Sequence, residues 1–248
     1  MILQERDIAA LWPELVCFEK RRVREIPFLL EQFRQYKEPC LLDACLGSGA
    51  TSIGLHLAGQ TRTVSNEKDP AFLEVALQEA KKYGISLQTT CYDWQEIGER
   101  YENYFDAVLC LGNSLTLISE ENLRRKILES FQKSLRVNGK LILDQRNYSD
   151  LFLSDYSGKN YVWSGNVVYC GISSFQVTPL SISSEGVVME YTHIQTKQQF
   201  RLQMYPFREG QLEKELQRAG FGNIQTFGDY KTNFNKKSAE FLTYVCSK

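Results

Sequence analysis

Histidine is scarce in this chain, which carries His56 and His193 and no others. A histidine-rich metal centre needs more ligands than that, so no metal is expected. Cysteine is present but unorganised: Cys17, Cys40, Cys45, Cys91, Cys110, Cys170 and Cys246 are odd in number, scattered and set mostly in apolar segments. No two have the close spacing of a zinc ribbon or a disulfide framework, and free thiols in a reducing cytoplasm are the expectation. Charge of one sign is lacking too. Lys+Arg number 29 against 30 Asp+Glu, a net charge of -1, so no whole-protein field draws in nucleic acid or an anionic membrane. No apolar run is long enough to span a bilayer. The opening MILQERDIAALWPEL acquires charges at once, unlike a secretory signal. A small molecule is therefore the expected partner, with no nucleic acid and no membrane.

What is there is a chain of 248 residues, 43% hydrophobic, enough for one core carrying an insertion. Residues 5–36 have leucines and charges at helical spacing, interrupted by Pro13 and Pro27, which predicts two or three short helices in a lid over residues 1–38. From residue 39 strands and helices alternate. Strands are expected at 40–45, 62–66, 87–92, 105–111 and 139–144, and helices at 52–58, 70–83 and 120–135. Such alternation builds a parallel sheet covered on both faces, the core at 39–150. Residues 151–207 read instead as consecutive antiparallel strands (NYVWSGNVVYCGI, FQVTPLSI, GVVMEYTHI, QQFRLQMYPF), an insertion. Residues 208–248 return to the core with a helix at 209–219, closed by Gly220, and two last strands near 223–227 and 240–246.

The first strand ends in Asp43-Ala44-Cys45-Leu46-Gly47-Ser48-Gly49, where glycines let a backbone approach a ligand at the open ends of parallel strands. Plain strand-to-helix packing also uses such turns. Glu67 follows about 20 residues on, at the end of the second strand, where an acid accepts hydrogen bonds from both hydroxyls of a ribose. Asp93-Trp94, after the third strand, offers an acceptor for an adenine amine beside a flat apolar surface. Cys45 and Ile53 depart from the G-x-G-x-x-G pattern of a dinucleotide fold, whose pyrophosphate would seek the helix N-terminus. The departure favours a nucleoside cofactor without phosphates.

Three segments, DACLGSGATSI (Asp43 to Ile53), FDAVLCLGNSL (Phe105 to Leu115) and LILDQRNYSDL (Leu141 to Leu151), resemble the glycine N-methyltransferase family, which includes the glycine/sarcosine enzymes of betaine synthesis. Weaker similarity extends through GKN, MEYT, FRL, YP and GDYK, and so over nearly everything after residue 39. The resemblance implies a class I methyltransferase fold: α/β, Rossmann-like, with a mixed, mostly parallel seven-stranded sheet, helices on both faces and an antiparallel β insertion over the active site. It implies S-adenosyl-L-methionine as cofactor, S-adenosyl-L-homocysteine as product, and methyl transfer to the amine of a small carboxylate-bearing molecule. Asp43, Cys45, Gly47, Ser48, Gly49, Glu67, Lys68, Asp93, Trp94 and Leu111 would hold the cofactor, with Trp12 and Arg22 closing over it and Arg22 pairing the methionyl carboxylate. Core packing of Trp12 and simple solvation of Arg22 are the competing readings.

Asn113 and Arg146 would anchor the acceptor carboxylate, Arg146 through its bidentate fork, with Tyr148, Tyr191 and Tyr205 as secondary candidates. Against this, Arg146 could pair with Asp144 or Asp150, Asn113 could shape a turn, and the tyrosines could be core. Leu3 and Leu15 fall where the family has tyrosines, Leu117 replaces a histidine, and Trp163 stands for a substrate tyrosine. A larger or more apolar amine than glycine suits that wall. A natural-product N- or O-methyltransferase and a cofactor-binding protein without turnover are the alternatives. The family's N-terminal arm looks short here, which suggests a monomer or homodimer.

Overall fold

The computed structural model describes residues 4–147, 174–183, 186–236 and 238–248. Two helices come first, α1 (Glu5–Val16) and α2 (Phe18–Phe33). Pro13 and Pro27, expected to interrupt the helical pattern, lie inside them, and the break falls at Cys17, whose φ of 50° is left-handed. A proline removes one helical hydrogen bond. At Pro27 that bond belongs to Val23, 63% exposed, while Ile26, Leu29 and Phe33 bury the opposite face, and tertiary packing outweighs the loss.

The alternation follows as expected: β1 (Leu41–Asp43), α3 (Ala50–Leu57), β2 (Thr63–Asn66), α4 (Pro70–Lys82), β3 (Gln88–Thr90), α5 (Ile97–Arg100), β4 (Phe105–Cys110), α6 (Glu121–Ser134) and β5 (Leu135–Arg146). After it come β6 (Phe175–Ser183), β7 (Gly186–His193), β8 (Gln199–Met204), α7 (Gln211–Arg218), β9 (Gly222–Gly228) and β10 (Phe241–Ser247). Seven strands form one sheet in the order β3-β2-β1-β4-β5-β10-β9. The sheet is parallel apart from β10, which runs antiparallel to both neighbours.

Successive residues of a strand point to opposite faces, and the core divides accordingly. Leu41, Ala107, Leu109 and Ile142 meet Ile26, Leu29 and Phe33 of α2 and Leu55 of α3. Leu42, Val108, Cys110 and Leu141 meet Ile127, Leu128 and Phe131 of α6 and Leu212 and Leu216 of α7. A strand buried on both sides needs an apolar run rather than alternation, which is why the 105–111 segment was readable.

Strands β6, β7 and β8 form a separate antiparallel sheet. Val187, Met189, Tyr191 and His193 of β7 are buried at every second position, and Leu15 of α1 packs into the same cluster. The strand expected within NYVWSGNVVYCGI, together with Tyr148 and Trp163, lies outside the described residues.

Candidate active site

The chain leaves β1 at Asp43 and turns through 45–49 into α3. Gly47 (φ 55°) and Gly49 (φ 90°) take the left-handed conformation that side chains disfavour. A Cβ on Gly49 would stand 3.0 Å from Ile53 Cδ1, so glycine there serves helix packing. A Cβ on Gly47 would stand 3.6 Å from Trp12 Nε1, which places the turn beneath α1. Between this turn, the carboxyl ends of β1 to β4, α1 and the small sheet lies a cavity of about 570 Å³.

One end of the cavity is built for hydrogen-bond donors. Glu67 lies one residue past β2; its Oε2 accepts the Gly47 N–H at 2.8 Å and its Oε1 the Asp69 N–H at 3.0 Å. A carboxylate has about four acceptor sites, so these contacts orient Glu67 without exhausting it. Burial pushes its carboxyl above the ordinary value, against the backbone N–H groups that hold it down. Lys68 pairs with Asp93 at the rim. Trp94 donates its indole N–H to the Ala44 carbonyl at 2.6 Å, which fixes the ring in the wall.

Along the floor, Cys45 Sγ sits 3.1 Å from both the N–H and the carbonyl of Leu111, pinning β1 to β4. The adjacent Cys110 thiol and burial push the Cys45 thiol well above its ordinary range, so it stays protonated. Asp43 is buried behind the turn, where its carboxylate accepts the Ser52 hydroxyl at 2.7 Å.

Toward α2 the cavity is bounded by Arg21, not Arg22. Arg22 points outward, its side chain 42% exposed and paired with Glu19 at 3.0 Å. Arg21 is buried, with Nε 2.6 Å from Glu25 Oε2 and Nη2 2.9 Å from Thr51 Oγ1. The cause is local. Arg22 followed from the Trp-to-Arg spacing of the resembled family, and the left-handed Cys17 breaks α1 from α2 within that interval.

At the other end Arg146, 8% exposed, lines the cavity with its guanidinium carbon 4.7 Å from the centre of the Phe241 ring. Tyr191 lines it as well, its ring stacked on Phe200 at 4.9 Å. Asn113 does not belong to the lining. Its backbone is left-handed (φ 66°), its N–H donates to Asp144 Oδ1 at 2.7 Å, its Oδ1 accepts the Arg146 N–H at 2.9 Å, and its Nδ2 contacts Met204 Sδ at 3.2 Å. The amide thus fastens the backbone that carries Arg146. Tyr205 also lies outside the lining; its N–H donates to the Thr116 carbonyl at 2.6 Å. Of the residues expected at the site, Trp12, Cys45, Gly47, Ser48, Glu67, Lys68, Asp93, Trp94, Leu111, Arg146 and Tyr191 line this cavity, whereas Arg22, Asp43, Gly49, Asn113 and Tyr205 do not.

Comparison with known proteins now decides the family. The sequence pattern of the methyltransferase domain matches residues 41–139. The glycine/sarcosine N-methyltransferase of Parasynechococcus marenigrum (strain WH8102) is 32% identical over 243 residues, 98% of this chain and 83% of that protein. The chain belongs to the glycine/sarcosine N-methyltransferase family. The glycine/sarcosine/dimethylglycine N-methyltransferase of Actinopolyspora halophila is 31% identical over 239 residues, and the chain spans 41% of its length. An S-adenosylmethionine-dependent methyltransferase from Clostridium acetobutylicum ATCC 824 has the same fold, with a TM-score of 0.73 at 16% identity over 97% of both chains. This member is therefore an S-adenosylmethionine-dependent methyltransferase with the expected Rossmann-like sheet.

The donor set fits that cofactor. Glu67 and Asp93 are acceptors of the kind that hydroxyls and an amine would need, Arg21 is a cation that could face a carboxylate, and the Gly47 turn would allow a close approach beneath Trp12. Arg21, Phe72, Gly112 and Phe241 are among the lining residues that the sequence did not point to. Arg21 carried a signal, since Glu25 lies four residues on, at the spacing that pairs charges along one helix face. Phe241 carried none, because it reaches Arg146 through strand pairing distant in sequence.

Proposed function

We propose that this methyltransferase acts on the amine of a small carboxylate-bearing molecule, glycine, sarcosine or a larger amino acid. The observation that carries the reading is Arg146, a buried guanidinium laid on the Phe241 ring in the wall of the cofactor cavity. Held there, its planar fork offers paired donors to a carboxylate in a fixed direction. S-adenosylmethionine, when bound, supplies a methyl group on a sulfonium, open to in-line attack by an uncharged amine.

The chain's own residues bind, align and exclude water. Glu67 would take the ribose hydroxyls, Asp93 the adenine amine beside Trp94, and Arg21 the methionyl carboxylate. Cys45, Gly47, Ser48 and Leu111 form the floor, and Trp12 the roof. Tyr191 presents a ring toward the acceptor end, where positive charge develops on nitrogen. Asp43, Gly49 and Asn113 support these groups from behind. No dedicated base is needed when the amine binds uncharged. Leu15, Leu117 and Leu202 add apolar wall to the lining, which suits a larger acceptor side chain.

Near-cancelling charge supports a small-molecule partner over nucleic acid. Among the described residues no helix is long and apolar enough to cross a membrane. A cytoplasmic monomer or homodimer completes the proposal, and size-exclusion chromatography with light scattering checks its oligomeric part.

The test is incubation with S-adenosylmethionine and glycine, sarcosine, dimethylglycine and larger amino acids, scored by mass spectrometry. Methylated product from at least one acceptor is expected; binding of the cofactor with no product would favour a protein without turnover. Arg146→Ala should raise the acceptor KM roughly 30-fold or more while leaving the cofactor Kd within about threefold. Equal losses in both would overturn the assignment of Arg146.

A further inference from the structure

One side chain from the far end of the sequence reaches the arginine at the cofactor side of the cavity. Tyr230 lies between β9 and β10, and its hydroxyl donates to Glu25 Oε2 at 2.9 Å. Glu25 is fully buried on α2. The same oxygen accepts Arg21 Nε at 2.6 Å, and Glu25 Oε1 accepts the Thr51 hydroxyl at 2.7 Å. Thr51 Oγ1 in turn accepts Arg21 Nη2 at 2.9 Å. Two edges of the guanidinium are thereby held from behind. Its Nη1 lies nearest the wall at Gly112, 4.0 Å from where a Cβ there would stand.

The turn that presents Tyr230 is shaped at some cost. Asp229 and Tyr230 are consecutive non-glycine residues with φ of 48° and 64°. Such backbone persists where the surroundings over-determine it. Here the Gly228 and Lys231 backbones bond each other at 3.0 and 2.9 Å, and the Asp229 carboxylate takes the N–H groups of Glu240 at 3.1 Å and Phe241 at 3.0 Å. The Tyr230 ring packs on Phe28 at 5.1 Å, so Glu25 and Phe28, one helical turn apart, receive its hydroxyl and its face. The ring contact alone would anchor the turn to α2. The hydroxyl adds a specific bond to the carboxylate that aims Arg21.

We propose that Tyr230 is a positioning residue that acts through Glu25 to fix the Arg21 guanidinium for the carboxylate of the bound methyl donor. The proposal rests on the role of Arg21 given above. A long, flexible arginine loses less freedom on binding when its fork is already oriented. Removing one bond to the charged Glu25 therefore costs affinity for a carboxylate and for nothing else in the ligand.

The experiment is calorimetric titration of Tyr230→Phe with two ligands. S-adenosylhomocysteine carries the carboxylate; 5′-methylthioadenosine has the same nucleoside and sulfur without it. Tyr230→Phe should weaken the first about 5- to 20-fold and leave the second unchanged, with the Tm of the ligand-free protein near wild type. Equal weakening of both ligands, or no weakening of either, would overturn the proposal. Arg21→Lys separates it from its premise. If Arg21→Lys leaves the ratio of the two affinities at its wild-type value, the role of Arg21 fails and the proposal with it. If that ratio moves in Arg21→Lys and stays put in Tyr230→Phe, Tyr230 alone is wrong.

Discussion

Asp43 is 1% exposed at the end of β1, where its acceptors face Ser52, which also lies 2.8 Å from the Ser65 hydroxyl. Burial pushes its carboxyl from 3.8 up to about 6, more than the Ser52 hydrogen bond and the Arg21 charge hold it down. The folded chain thus binds this proton more tightly than the unfolded chain does. The stabilising contribution is complete below about pH 4 and is lost as pH rises through about 6. Asp43→Asn keeps an acceptor for Ser52 and removes the titration. Urea unfolding at several pH values should show the wild type losing up to about 3 kcal/mol relative to Asp43→Asn between pH 4 and pH 7; parallel curves would contradict the assignment. At this scale the sequence is uneven. β2 ends at Asn66, so the expectation that Glu67 stands at a strand end followed from spacing. Arg21 had only its local spacing to Glu25 to mark it, because which arginine faces the cavity depends on the break at the left-handed Cys17. The surroundings of Asn113 were not legible, because Asp144, Arg146 and Met204, which contact its backbone N–H and its amide, come from distant segments.

The end of α7 shows how a local rule was legible. The Gly220 N–H bonds the Gln217 carbonyl and the Phe221 N–H the Leu216 carbonyl, each at 3.0 Å, the paired closure that a left-handed residue after a helix permits. Phe221 and Leu216 then share the core. Gly220 has φ 89°, and an added Cβ would meet the flexible Gln132 side chain at 3.4 Å, so its cost is in the backbone. Gly220→Ala should destabilise by about 1–2 kcal/mol and lower Tm by roughly 2–8 °C. Gly222→Ala, with open space around it and no positive φ, serves as control and should leave Tm near wild type in the same calorimetric scan. A drop of equal size in both variants would refute the backbone account. Elements with a clear period were readable for similar reasons, since a buried strand or an amphipathic helix writes its faces into the chain. Boundaries were less so. β5 begins at Leu135, ahead of the expected 139, because its pairing with β4 shifts register between Phe105↔Leu135 and Ala107↔Lys140 and absorbs the intervening residues as an irregularity.

Across the whole molecule, three parts meet at Trp12. Its ring stands edge-on to Phe72 of α4 at 5.3 Å and tilts against Phe200 of β8 at 6.2 Å, and its Nε1 overlooks Gly47 of the β1–α3 turn. Nearby, Glu14 of α1 lies 3.3 Å from His193 Nε2, and the Thr196 N–H donates to His193 Nδ1, so the ring hydrogen sits on the side of Glu14. α1 is therefore fastened at once to the parallel core and to the small sheet, and the cavity exists because it spans them. The resemblance pointed to Trp12 as closing over the cofactor, but its contacts with Phe72 and Phe200 were not legible in sequence, because they come from segments distant from α1. Trp12→Ala removes the joint. Burying a tryptophan completely is worth about 3–5 kcal/mol on truncation; Trp12 is partly exposed, so unfolding should cost roughly half as much, while S-adenosylhomocysteine affinity should fall at least about tenfold because the roof over Gly47 is lost. Trp12→Phe keeps a ring between Phe72 and Phe200 and should recover most of the binding. Calorimetric Kd values read beside Tm decide the matter: a variant that loses stability while its affinity stays at the wild-type level would mean that Trp12 holds the parts together without shaping the cleft they enclose.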